Sequence, residues 1–192
     1  MTRIILILAA LAFSGPAYAA CSERIDLTDT QVDGHMAAFH SAETSDLEKI
    51  RAFNELCRSN DPSIRALAVD AALESGGPPL RATLLTELLL ERETLILEPY
   101  DNGNLSDDQM TWIEGNPPVT LSFIFKDAEN SCIGLTYSEC RPGHLLDYSG
   151  IGITVSSRGS VGELTLNEAG DLEGAWTPDN TSLRIPVRAR LR

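Results

Sequence analysis

The sequence predicts an α+β protein with helices first and strands after. Three observations carry that expectation. Residues 43–98 are rich in Leu, Ala, Glu and Arg and show no strand-like alternation. Residues 119–192 alternate apolar with polar side chains and carry repeated Gly, Ser and Thr. Between them, residues 99–118 hold Pro99, Gly103, Gly115, Pro117 and Pro118 among several Asp and Asn, the composition of a linker or long surface loop. Helices segregated from strands in this way give an N-terminal helical hairpin layer followed by a small antiparallel β-sandwich or partly closed barrel. The expected organisation is therefore a leader at 1–19, a helical region at 20–98, a linker at 99–118 and a β-domain at 119–192.

The leader reads as a cleavable export signal. Arg3 supplies its positive charge, and Ile4 to Phe13 is an unbroken apolar run. Ser14, Gly15 and Pro16 end that run, and Ala17-Tyr18-Ala19 is the small-x-small pattern cut by signal peptidase. As a helix the run spans about 15 Å, half of a bilayer's roughly 30 Å hydrocarbon core, which argues against a retained anchor. A lipid on Cys21 is the other alternative, but Tyr18 stands where such signals usually have Leu. The expected location is periplasmic or secreted, with a working chain that starts at Ala20.

The full chain carries 15 basic and 28 acidic residues, a formal charge of −13. Such a chain repels nucleic acid and anionic lipid surfaces, and suits a basic protein partner or divalent cations. The four cysteines, Cys21, Cys57, Cys132 and Cys140, are even in number in an exported chain, so disulfides are expected. Three pairings are open. The favoured one joins Cys132 to Cys140 and Cys21 to Cys57.

Three helices are legible. Ser45-Asp46-Leu47-Glu48 is a capping box that opens a helix carrying Leu47, Ile50, Phe53, Asn54 and Cys57 on one side. Asp61 and Pro62 open the next, whose face is Ile64, Leu67, Ala68, Ala71 and Ala72, and Gly76 ends it. A third is expected from Pro79 to about Leu97, with too many leucines for a single stripe. A shorter helix fits His35 to Ala42. The run Asp61-Pro62-Ser63-Ile64-Arg65, with Ala68, Ala71, Ala72 and Leu73 after it, resembles the second helix of a HEAT repeat. The likeness covers residues 46–97. It implies a helical hairpin in which Asp61 and Arg65 cap and pack, and it names no ligand. A solenoid needs about three repeats, so the open face of one or two must rest on something else, and the C-terminal sheet is nearest.

About six strands follow. Val119, Leu121, Phe123 and Phe125 alternate with Thr120, Ser122 and Ile124. Further strands are expected at Ile133–Tyr137, Leu146–Val155, and as a hairpin from Val161 through a turn at 167–171 to Trp176. In the last strand Ile185, Val187, Ala189 and Leu191 face one way, and Arg184, Arg188, Arg190 and Arg192 the other. That arginine row is the candidate partner-binding stripe, able to grip carboxylates. It also reads as the charged face of an edge strand protected against aggregation.

No catalytic constellation stands out. His35 and His40 are five apart and diverge by about 140° on a helix, whereas zinc-binding pairs sit four apart. Gly150-Ile151-Gly152 lacks a third glycine and reads as a bulge or close backbone approach. Asp101 to Asp108 is oxygen-rich but lacks EF-hand spacing. No catalytic residue, metal or cofactor is implied. The function expected is an exported, non-catalytic binding or assembly module whose partner is a protein. The rivals are a periplasmic hydrolase assembled from residues such as Glu139, His144 and Asp147, and an inhibitor of a basic secreted enzyme.

Overall fold

The computed structural model describes residues 21–191. The expected leader, its cleavage site and Arg192 lie outside the described residues. Four helices come first: α1 Asp29–His40, α2 Asp46–Cys57, α3 Pro62–Ser75 and α4 Pro78–Glu91. Then come β1 Thr94–Pro99, α5 Asp107–Gly115, β2 Val119–Ser122, β3 Phe125–Asp127, β4 Cys132–Gly134, β5 His144–Ser149, β6 Gly152–Ser157, β7 Ser160–Leu166, β8 Asp171–Thr177 and β9 Ile185–Arg190. The α+β class is therefore as the sequence predicts, with the strands in one curled, antiparallel sheet rather than a sandwich.

Capping chemistry sets the helix starts. Ser45 and Glu48 form the expected capping box on α2, and Asp61 accepts the Ser63 N–H at 2.7 Å. Arg65 folds back to donate to the Ser59 and Asn60 carbonyls. Helix α1 is longer than expected and begins at a further capping box, Thr28 with Gln31. The linker is also more ordered than its composition suggests. Asp101 and Asn102 close tight turns onto the N–H groups of Gly103 and Asn104, and Ser106 with Gln109 caps α5. The oxygen-rich run is thus occupied with its own backbone.

Helix α4 corrects one expectation. It stops at Glu91, and the leucines beyond it belong to β1, where Leu95 and Leu97 are buried while Ile96 is 47% exposed. The period-two pattern was present, but an apolar residue on the outer face disguised it. Likewise, the expected Leu146–Val155 strand is two strands joined by a two-residue turn at Gly150-Ile151, with Gly150 at φ +55°. The glycine serves a tight hairpin and not a bulge. The strand expected at Ile133–Tyr137 is confined to Cys132–Gly134.

The sheet order is β2-β1-β9-β8-β7-β6-β5-β4-β3. Strand β9 is therefore interior, between β1 and β8, and the edge-strand reading of its arginines is wrong. The two outermost strands, β2 and β3, are successive pieces of one segment. Val119–Ser122 pairs with β1, and Phe125–Asp127 pairs with β4. At the switch, Phe123 N–H donates to Glu93 O at 2.8 Å and Ile124 N–H donates to Gly134 O at 2.9 Å. One bent segment thus joins both margins of the sheet and curls it into a partly closed barrel.

The helices sit at one end of this barrel. Arg81 of α4 donates to the carbonyls of Leu166 and Asn167 at the β7–β8 turn, and Lys126 of β3 donates to Leu90 O. Leu191, past β9, shares a cavity wall with Val69 and Leu88. One hydrophobic cluster runs from Phe53, Leu80 and Leu85 to Val155, Leu172 and Val187. The disulfides are Cys21–Cys57, tying the chain before α1 to the end of α2, and Cys132–Cys140, closing the loop after β4. Both favoured pairings are present. Because the Cys21 sulfur is bonded to Cys57, it is not the lipid carrier that the alternative required. Among the described residues, no helix is long and apolar enough to cross a membrane.

A shared core predicts joint unfolding. Leu85 is fully buried in α4, and Leu85→Ala should cost about 2–5 kcal/mol. Both tryptophans, Trp112 and Trp176, follow the four N-terminal helices. Helical circular dichroism and tryptophan fluorescence should therefore report coincident urea transitions, both shifted by this substitution. Two separate transitions would show that the halves fold independently.

Candidate functional site

The helices cover one end of the barrel, and the other end is where a cavity opens. It is bounded by the starts of β2 and β7 and the ends of β6 and β8. Its volume is about 420 Å³, within the range of small-ligand sites. Trp112, Leu121, Leu135 and Trp176 supply its apolar wall, and Thr120, Ser122, Thr136, Ser157 and Ser160 supply hydroxyls. Trp176 is almost fully buried and lies across Gly162, where an added Cβ would come within 2.9 Å of the indole. Trp112 is brought there by α5, which is tethered to the strand layer by Gln109 Nε2 donating to Arg184 O at 2.6 Å.

Among the described residues, Arg158 is the only ionisable one that lines this cavity. It occupies the first central position of the β6–β7 hairpin at φ +51°, followed by Gly159 at +86°. That pair of angles is the pattern of a type I′ turn, whose first position favours Asn, Asp or Gly. The Arg158 N–H also donates to Gly143 O at 3.2 Å, fixing the turn against the loop after β4. Sequence reasoning missed this residue. The signal was available: Ser157-Arg158-Gly159-Ser160 is a two-residue turn between alternating runs, with an arginine where turn chemistry prefers a small polar residue.

The arginine row of β9 is differently employed. Arg188 pairs with Glu173 on β8 at 2.6 Å and lies 4.8 Å over the Tyr100 ring. Arg184 reaches Glu163 on β7 at 3.7 Å. Arg190 sits opposite Asp171 in register and is exposed, and Arg192 lies outside the described residues. Two members of the stripe are thus already committed to carboxylates of the same sheet. Arg184, Glu163 and Glu173 line a shallow groove of about 530 Å³ across β5 to β8, with Asp147 and Thr154.

Of the residues named for a hydrolase, His144 and Asp147 do not converge. His144 and Asp147 are three apart on β5 and so lie on opposite faces of the sheet. His144 packs edge-on against Tyr137 at 5.2 Å between ring centres, with its Nδ1 3.4 Å from the Thr136 hydroxyl. Glu139 pairs with Arg141, whose guanidinium covers the other ring contact of Tyr137 at 4.4 Å. This cluster rides on the loop closed by Cys132–Cys140. His35 and His40 lie on α1, in the helical layer.

Comparison with protein-family models, with curated proteins and with solved structures gave no significant match.

Backbone strain at a cavity wall is measurable. Arg158→Asn places a residue suited to positive φ in the same turn, and should raise folding stability by about 1 kcal/mol in urea titrations. A loss of stability would mean that the arginine side chain supports the fold.

Proposed function

We propose that this chain is an exported, non-catalytic binding module, and that its ligand enters the open end of the barrel. The ligand class that suits the site is a small amphipathic carboxylate. Its apolar body would lie between Trp112 and Trp176, its hydroxyl or carbonyl groups would meet the serine and threonine rim, and its carboxylate would meet Arg158. The observation that carries this reading is that both tryptophans of the chain line one cavity whose only charged wall residue, among the described residues, is an arginine, in a protein of net charge −13. Aromatic faces with a few convergent polar groups and one fixed cation are what orient and select such molecules. The two disulfides agree with an oxidising compartment, where the leader would deliver the chain.

A protein partner is the second reading. It is favoured by the Cys132–Cys140 loop, which presents Tyr137, 38% exposed, beside Arg141 and His144 next to the same cavity. Aromatic and arginine side chains held on a cross-linked loop are the usual anchors of a protein interface.

Tryptophan emission is the direct assay, because no other tryptophan obscures it. Titration with a panel of small aromatic and aliphatic carboxylates should shift the emission of the native protein, with neutral amide analogues binding more weakly. Arg158→Asn should weaken the best carboxylate about tenfold or more while leaving the fold intact, and Trp112→Ala should weaken acid and amide alike. An emission spectrum unmoved by every member, or equal affinity for acids and amides in the native chain, would contradict the reading.

A further inference from the structure

The whole of β2, Val119 to Ser122, lines the cavity at the open end of the barrel. Among the described residues, β2 has a strand partner on one side only. It pairs with β1, with Val119 opposite Leu97, Thr120 opposite Ile96, Leu121 opposite Leu95 and Ser122 opposite Thr94. Antiparallel neighbours alternate between pairs that exchange both backbone hydrogen bonds and pairs that exchange none. The Phe123 N–H donates to Glu93 O at 2.8 Å, which fixes the phase. Val119 and Leu121 therefore bond to β1, and the N–H and C=O groups of Thr120 and Ser122 point away from it.

The next residue in that phase is Ile124, whose N–H meets Gly134 O at 2.9 Å. Past Gly134 the facing chain bends away toward the Cys132–Cys140 loop, and Leu135 and Thr136 line the cavity with β2. Among the described residues, no backbone hydrogen bond reaches Thr120 or Ser122 from that side. Both residues are exposed. The cavity thus has one wall made of a strand edge with two N–H donors and two C=O acceptors still to be paired.

We propose that the cavity receives the C-terminal segment of an extended peptide, added as a strand to the free edge of β2. This rests on the small-carboxylate reading above and names the ligand class more closely. Thr120 and Ser122 are two apart, the spacing at which an added strand exchanges hydrogen bonds with an edge. Alternate side chains of the peptide then face Leu121, Leu135 and Trp176, the buried side chains of the cavity wall. The terminal carboxylate pairs with Arg158. An internal peptide segment has no backbone charge to offer a guanidinium, so the arginine selects a chain terminus. The edge itself is short. Pro117 and Pro118 precede it without N–H groups, and Ile124 leaves it for β4, so only the four residues of β2 are open to pairing. A short edge next to prolines is protected against pairing with a second copy of the chain, and it suits a peptide end of a few residues.

The test uses the exported native chain and tryptophan-free pentapeptides built from Val, Ile, Leu, Phe and Thr. Each is made as the free acid, as the C-terminal amide, and as free acids N-methylated at alternate peptide nitrogens in either of the two phases. Tryptophan emission measures affinity, and amide hydrogen exchange locates the contact. The free acids should shift the emission and slow exchange of the Thr120 and Ser122 amides about tenfold or more. Amidation should weaken binding about tenfold. N-methylation in the phase that faces β2 should weaken it by about the same factor, and the other phase should bind like the parent. Small carboxylates that shift the emission while every pentapeptide leaves it unmoved would overturn this proposal and spare the reading it rests on. Silence from both ligand sets would overturn the two together. Peptides that bind equally well in both N-methylated phases, or that leave the Thr120 and Ser122 amides exchanging as before, would show that no strand is added.

Discussion

The barrel depends on one segment, residues 119–127, satisfying two separate rows of backbone hydrogen bonds. A nine-stranded sheet that ended in two free margins would expose two ladders of unpaired N–H and C=O groups. Here the two margins are consecutive in the chain, and the change of partner takes two residues, Phe123 and Ile124. Phe123 points into the core while Ile124 is 56% exposed, so the switch preserves the in–out alternation. Everything else is positioned by that closure. It brings β1, directly after α4, and β3, which reaches back to α4 through Lys126, to the same end of the molecule.

Closure also explains why the two ends differ. The end that receives α4 is filled by leucines, by the Arg81 contacts with the β7–β8 turn and by the buried side chain of Glu87. The other end receives only the short helix α5, which has no fully buried side chain. A barrel of this size fills its interior with side chains or leaves a small space at one mouth. Gly162 lets Trp176 lie flat at that mouth. At Gly174 an added Cβ would fall 1.9 Å from the Glu163 carbonyl, a separation no side chain tolerates. These two glycines allow β7 and β8 to approach closely where the sheet bends.

Much of the architecture was legible in the sequence because it is written in local chemistry. The Ser45–Glu48 capping box, the Asp61–Pro62 start, the turn at 167–171 and the alternation of β9 each follow from side chains a few residues apart. The disulfide pairing was the favoured one of three, because Cys132–Cys140 closes a short loop and Cys21–Cys57 pins the start of the chain to a helix. What was not legible depends on distant pairing. The leucines after Glu91 look helical because Ile96, facing outward, masks the strand period. The place of β9 inside the sheet follows from its pairing with β1, nearly a hundred residues away, and without it the arginines read as an edge. Their partners Glu163 and Glu173 lie on neighbouring strands that no spacing rule connects to them. The cavity was hidden for the same reason: Trp112, Trp176 and Arg158 come from a helix, a strand and a turn that meet only when the sheet curls. Arg158 alone left a local trace, as an ill-suited turn residue.

The central claim is that the two margins of the sheet are joined at Phe123–Ile124, making a barrel with one filled and one open end. Residue-resolved hydrogen exchange tests it most directly. The account predicts that the Phe123 and Ile124 amides exchange only by global unfolding, as slowly as those of Val155 and Leu164 in the middle of the sheet. Exchange of these two amides at the rate of an exposed loop, with the central strands still protected, would mean an open sheet with two free edges and would contradict it.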